Sequence, residues 1–237
     1  MFKKSLMALT GTAVMSFAVA ESAVAFTIFS DRPTFENQLE TFIVDDYSDP
    51  GYAAGDIFDI AVFDIHSDAN MSSIIGETQY TTTGGADDNF IPSQASDRYY
   101  CAGCNGSFLL DFTSTSVGDS SGVFGVGFDI EGTAEAVFGT FAFVTFGDGS
   151  TDNFFLPEFQ DVFWGITSDL NISSIAFGLE DGGTNTDNDV QRMALDNLTI
   201  GSNPTPSESV PEPATLLGLL AIGGLGLATK RGSVAKI

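Results

Sequence analysis

Apolar residues recur at every second position through much of the second half of the chain. Between 108 and 112, Phe108, Leu110 and Phe112 fall on one face of an extended backbone. Between 123 and 130, Phe124, Val126, Phe128 and Ile130 share one face and leave Gly125, Gly127 and Asp129 on the other. Residues 137–146 read as a longer strand, and the Asp148-Gly149 pair after it is a hairpin signal leading into a strand over 151–156. The stretches 172–179 and 193–200 complete the set. Short alternating segments separated by Gly, Asn, Asp and Ser predict a mainly β fold, an antiparallel β-sandwich or jelly roll.

One short N-terminal helix is expected. Ser30 or Asp31 can cap it, Pro33 suits its first turn, and Phe35, Leu39 and Phe42 recur at helical spacing, which places its end near Phe42. Residues 57–65 suggest a further strand, and 81–97 an exposed polar loop. The chain begins differently. Lys3 and Lys4 precede an uncharged apolar stretch over 6–20, and two small-x-small patterns come after it, Ala18-Val19-Ala20 and Ala23-Val24-Ala25. Residues 1–25 thus have the form of a secretory signal peptide, handed to the secretion machinery and removed by signal peptidase after Ala20 or Ala25. An exported domain over 26–200 would come next. Residues 201–209 are a Pro/Ser spacer too polar to pack.

The last segment, 210–237, carries the most specific pattern. Val210-Pro211-Glu212-Pro213 stands directly before an apolar, glycine-rich run over 214–228 that closes on Lys230 and Arg231. As a helix this run would be about 22 Å long. A hydrocarbon core is about 30 Å thick, so the run is a short transmembrane helix at best, with its basic end on the cytoplasmic side. An N-terminal signal peptide, a Pro-Glu-Pro tripeptide, an apolar run and a basic cluster in that order resemble the PEP-CTERM protein-sorting family, one tail profile of which is also labelled ice-binding protein C-terminal domain. The resemblance implies export across the inner membrane of a Gram-negative bacterium, transient membrane association, and processing by an exosortase near the motif. The segments at 163–168, 172–177 and 195–200 look like sandwich modules of exported proteins bearing such tails. A cell-surface or extracellular-matrix destination is implied by the same resemblance.

Charge narrows the partners. From Phe26 to Pro213 three arginines, Arg32, Arg98 and Arg192, stand against 31 of the chain's 32 acidic residues, a formal charge of −28. No lysine occurs between Ser5 and Thr229. That removes a phosphate-loop lysine and a Schiff-base lysine, and a surface this anionic repels nucleic acid. Cations, neutral sugars and basic proteins remain as partners.

Candidate chemistry is sparse. Cys101 and Cys104 are the two cysteines, and in an exported chain they predict a local disulfide. His66 is the single histidine, so these cysteines cannot complete a Cys2His2 zinc site. Asp181, Asp187 and Asp189 lie in a Gly- and Asn-containing loop that could hold calcium through oxygen ligands or could be a solvated turn. Asp45, Asp46 and Asp49 form a weaker second cluster. Paired carboxylates could serve glycoside hydrolysis, but no pair stands out in the sequence. Tyr99 and Tyr100 could stack on sugar rings, whereas Trp164 sits among apolar neighbours and is expected inside. The sequence therefore supports a non-catalytic structural or adhesive protein, with a lectin-like, calcium-dependent exopolysaccharide-binding module as the alternative and a glycoside-active enzyme behind both.

Overall fold

The computed structural model describes residues 26–204, apart from 55, 59–62, 85–87, 93–97, 103–106, 132–138, 158–160 and 185–192. The chain opens with β1 (Phe26–Phe29), helix α1 (Arg32–Glu36) and β2 (Phe42–Asp45), and then makes a single 3-10 turn over Pro50–Ala54. Next come β3 (Asp56–Phe58), β4 (Phe63–His66), helix α2 (Asp68–Ile75), β5 (Gln79–Thr82), β6 (Asn89–Pro92) and β7 (Cys101–Ala102). The second half contributes β8 (Phe108–Asp111), β9 (Val123–Glu131), β10 (Phe141–Phe146), β11 (Thr151–Phe155), β12 (Val162–Gly178) and β13 (Ala194–Gly201). The mainly antiparallel β architecture expected from the alternation is present.

Its two layers are two halves of one curled nine-stranded sheet, and β12 belongs to both. The first part of β12 pairs with β1 and β9, and β9 continues through β13 to β2. Its second part pairs with β10 and β8, which lead to β11 and β5. Asn171, at φ 60°, marks the corner between the two parts. Asn tolerates this left-handed conformation better than most residues, so a strand of 17 residues can bend there without ending.

The inner faces meet in one core. Phe128 of β9 lies edge-on to Phe177 of β12 at 5.5 Å, and Phe154 of β11 lies 6.1 Å from Trp164. Val126, Ile130, Leu110, Val144, Ile175, Leu195 and Ile200 fill the space between them. Trp164 is buried, as its apolar neighbours predict. A smaller four-stranded sheet, β3-β4-β6-β7, is joined to this body by the bridge between Tyr100 and Leu195 and by α2.

Several sequence expectations change here. Asp31 caps α1 through the Thr34 amide and Pro33 lies in its first turn, but the helix ends at Glu36 and Phe42 opens a strand. The helical spacing of Phe42 is coincidental, because its partner is Gly201 of β13. The 57–65 strand is split between β3 and β4, which pair antiparallel. The polar stretch 81–97 holds the end of β5 and all of β6, with Ile91 fully buried. Helix α2 is an addition to the elements expected from the sequence. Its cap, Ser67, accepts a hydrogen bond from the Asn70 amide, and Gly76 closes it at φ 79°. No helix among the described residues is long and apolar enough to cross a membrane, and the apolar run over 214–228 lies outside them.

Candidate functional site: two outer faces of one sheet

Strand register sorts the outward residues of the main sheet into two surfaces. On the β1-β12-β9-β13-β2 half, Gly165, Gly127 and Thr199 lie in one row, and Thr167, Gly125 and Gly201 in the next. With almost no side chains, these rows form a shallow bed for α1. Phe35 and Leu39 settle into it with Phe163, and Phe29 and Phe124 close the sides. The fit is tight: a methyl group built on Gly127 would sit 2.6 Å from Phe163 Cζ and 2.9 Å from Phe35 Cε1.

A polar clamp holds the same helix. Arg32 pairs with Asp129 at 2.9 Å, donates to Thr199 Oγ1 at 2.6 Å and to the Asn197 carbonyl at 3.1 Å, and lies 4.8 Å above the Phe163 ring. Asp129 and Asp196 are cross-strand neighbours, and Asn197 donates to a carboxylate oxygen of each at 2.9 Å. Burial pushes the Asp196 carboxyl up to about 6; Asp129 and Asp46 raise it further, while the Asn197 amide and Arg32 act the other way. Asp129 and Asp196 thus form a carboxylate pair bridged by the Asn197 amide, and Arg32, which seats α1, supplies its counter-charge.

Among the described residues, no helix lies over the outer face of the β11-β10-β12-β8-β5 half. Strand β10 reads Phe-Ala-Phe-Val-Thr-Phe and turns Ala142 and Val144 inward, so the larger Phe141 and Phe143 face out. Phe155 of β11 pairs with Phe141 and is 50% exposed. Their rings meet edge to face at 5.2 Å, and Phe141 lies 6.3 Å from Phe143. Beside them β12 presents only Gly178, Ala176 and Ser174, which leaves a trough between the β10 rings and Leu109 of β8. The turn 179–183 folds back over one end, closed by the Leu179 amide to the Gly183 carbonyl at 3.0 Å. There a groove of about 730 Å³ is lined by Gly139, Phe141, Phe155, Leu179, Glu180 and Asp181. Further along the same face stand Asn153, Thr151, Thr145, Asp111 and Gln79.

The sequence-derived candidates fall elsewhere. Tyr100 is corrected: it is fully buried, donates to Asn89 Oδ1 at 2.7 Å, and packs on Tyr80 and Phe108, so no sugar can reach its ring. Its burial results from its bridge to Leu195, which draws it into the core. Tyr99 is half-buried beside it. Cys101 is buried in β7, and Cys104 lies outside the described residues. Asp181 is at the groove, with Oδ1 accepting from the Gly183 amide at 2.8 Å, while Asp187 and Asp189 lie outside the described residues. Among the described residues no group of three His, Cys, Asp or Glu side chains is placed to hold a metal ion.

His66 is buried at the end of β4. Its Nε2 donates to the Tyr52 carbonyl at 3.0 Å and its Nδ1 accepts from Asn70 at 3.3 Å. Asp45 is buried as well. It accepts from the Tyr52 and Tyr80 hydroxyls at 2.5 and 3.3 Å and from the Tyr47 amide at 3.0 Å, which ties β2 to the 3-10 turn and to β5. Burial raises its carboxyl above the usual range despite these donors. Asp46, Asp119 and Asp148 each accept from the amide and hydroxyl of the serine two residues on, and those hydrogen bonds hold their carboxyls below the ordinary value. Much of the acidity is thus used to form turns.

The fold is an antiparallel β domain with one packed and one open outer face, succeeded by a polar spacer. The segment beyond the spacer places the domain among sorted, exported proteins: residues 209–231 match the family model of the PEP-CTERM protein-sorting motif, covering Val210, Pro211, Glu212, Pro213, Lys230 and Arg231. The resemblance carried by the tail is therefore correct, and the motif implies an exported protein, recognised by an exosortase and anchored or processed at the membrane. No curated protein and no solved structure matches the chain.

Proposed function

We propose that the exported domain is a non-catalytic structural or adhesive component of the cell envelope or extracellular matrix. The observation that carries this reading is the sorting motif over 209–231 placed behind a compact β domain whose only described carboxylate pair with a bridging amide is engaged in the α1 clamp. The test is a strain lacking the chain, complemented with the full chain or with a chain truncated after Ser209. Restoration of cell aggregation and matrix retention by the full chain alone is expected. Aggregation that does not depend on the chain overturns the adhesive role. Mass spectrometry of the C-terminus, with and without the exosortase, tests processing separately, and an intact Lys236-Ile237 end in the normal strain would count against it.

A second reading has its own support in the open aromatic face: a lectin-like module for exopolysaccharide. Exposed aromatic rings beside hydroxyl and amide side chains are a common composition for sugar recognition. Calcium dependence belongs to this reading only through Asp181, and a glycan array run with and without chelator tests it.

A further inference from the structure

The two outer faces of the sheet solve the same problem in opposite ways. On one, apolar surface is covered from within the chain by Phe35 of α1 and by Leu39, just after the helix. On the other, Phe141, Phe143 and Phe155 project from adjacent strands and Phe155 remains half exposed. Inverting the usual order over the first part of β10, with Ala142 and Val144 inside and Phe141 and Phe143 outside, sacrifices core burial for outward aromatic area, and Phe146 alone of its phenylalanines turns inward.

We infer that this trough, formed by Phe141, Phe143 and Phe155 beside Ala176 and rimmed by Glu180 and Asp181, binds a glycan chain whose pyranose rings carry no acid groups. This site rests on the lectin-like reading and names its location and its ligand class. Three observations select the occupant. Aromatic rings attract the C–H face of a pyranose, and the small Ala176 and Ser174 of β12, both part-exposed, leave room for a ring to lie against them. The row Thr151, Thr145, Ser174 and Asp111 supplies hydroxyls and a carboxylate for sugar hydroxyls along the same face. Glu180 and Asp181 at the rim, in an exported region (Phe26 to Pro213) of formal charge −28, repel uronates, phosphates and a second copy of this chain, and accept neutral or amino sugars.

The test is calorimetric titration of the full chain, held in mild detergent, with three soluble oligosaccharide probes: a neutral glucan, a glucosamine oligomer and a uronate oligomer. Binding of one of the first two and not the third is expected. Phe155→Ala and Phe141→Ala should each weaken it at least tenfold, while Phe155→Trp retains it. Phe42→Ala removes an exposed ring from the opposite face and should leave it unchanged. Equal thermal midpoints for wild type and Phe155→Ala separate loss of binding from loss of fold.

Wild-type binding that survives both phenylalanine deletions overturns this site while leaving the lectin-like reading standing. No binding to any probe overturns both. Preference for the uronate overturns the charge argument and with it the ligand class. A dimer that Phe155→Ala converts to monomer makes a second copy the occupant, against the proposal.

Discussion

The two outer faces are built from the same nine-stranded sheet and even from the same strand, β12, yet one is closed and the other open. The closed face begins with glycines. Gly125, Gly127, Gly165 and Gly201 give up side-chain burial of their own so that Phe35 and Leu39 can approach the backbone, and the helix returns that area as a second apolar cluster. The open face begins with rings. Phe141, Phe143 and Phe155 stand too high for a helix to lie close, and β12 contributes only small residues between them and Leu109. What decides whether a sheet face becomes core or surface here is the height profile of its side chains, more than its mean apolarity.

The sharpest way to break that contrast is to delete the helix anchor. Phe35→Ala should destabilise the domain by about 3–5 kcal/mol, the range for a fully buried Phe, read as a fall in the chemical-denaturation midpoint. A loss below about 1 kcal/mol would mean that α1 is not part of the cooperative unit. Raising the bed should do nearly as much harm. Gly127→Val drives side-chain atoms into Phe163 and Phe35 and should lose about 1–3 kcal/mol, whereas Ser174→Val on the open face should stay within about 0.5 kcal/mol. Similar losses at both positions would erase the distinction.

The clamp beneath α1 gives a third, pH-dependent comparison. Asp196 titrates near 6 in the folded chain against 3.8 ordinarily, so the native state holds the extra proton over that interval. Its contribution to stability is complete below about pH 4 and is lost as the pH rises through 6. In Asp196→Asn this slope should vanish relative to wild type when urea midpoints are measured from pH 4 to 7. An unchanged slope would assign the proton uptake elsewhere, with the buried Asp45 carboxyl, shifted in the same direction, next in line. Arg32→Met should move the Asp196 titration further upward, because it removes the one cation in the cluster. The smallest effect is expected on the open face, where Phe155→Ala should change stability by less than about 1 kcal/mol, since half the ring is already in water.

Much of this arrangement is legible in the sequence. The period-two runs locate β8, β9, β10, β11 and β13, and the Gly-Gly-Asp face of β9 is visible as a pattern. That α1 lies on it is not, because Phe35 and Gly127 are joined only through tertiary packing and neither carries a local sign of the other. Strands β5 and β6 are faint because each turns so few apolar side chains inward: Tyr80 is the one buried apolar residue of β5. Helix α2 has a serine cap and a glycine stop in plain view, but Met71 is the only apolar side chain it buries, so helical periodicity does not emerge. The open face is hidden for the opposite reason. Residues 141–144 are apolar on both sides, and four residues with no polar face do not say which side meets the core. Phenylalanine alternating with alanine and valine is the available clue, since a core strand seldom turns its smallest residues inward. Tyr100 is illegible because a tyrosine beside a loop has no local mark of the tertiary bridge that buries it.

The register of β1 has a bearing on how the chain is made. Phe26 pairs with Ser168 and Phe42 with Gly201, so the first two strands to leave a translocation channel find their partners only when the last two arrive. Such distant pairing makes closure of the sheet a late and slow event. A chain that emerges N-terminus first therefore cannot seat β1 or β2 until β12 and β13 have followed.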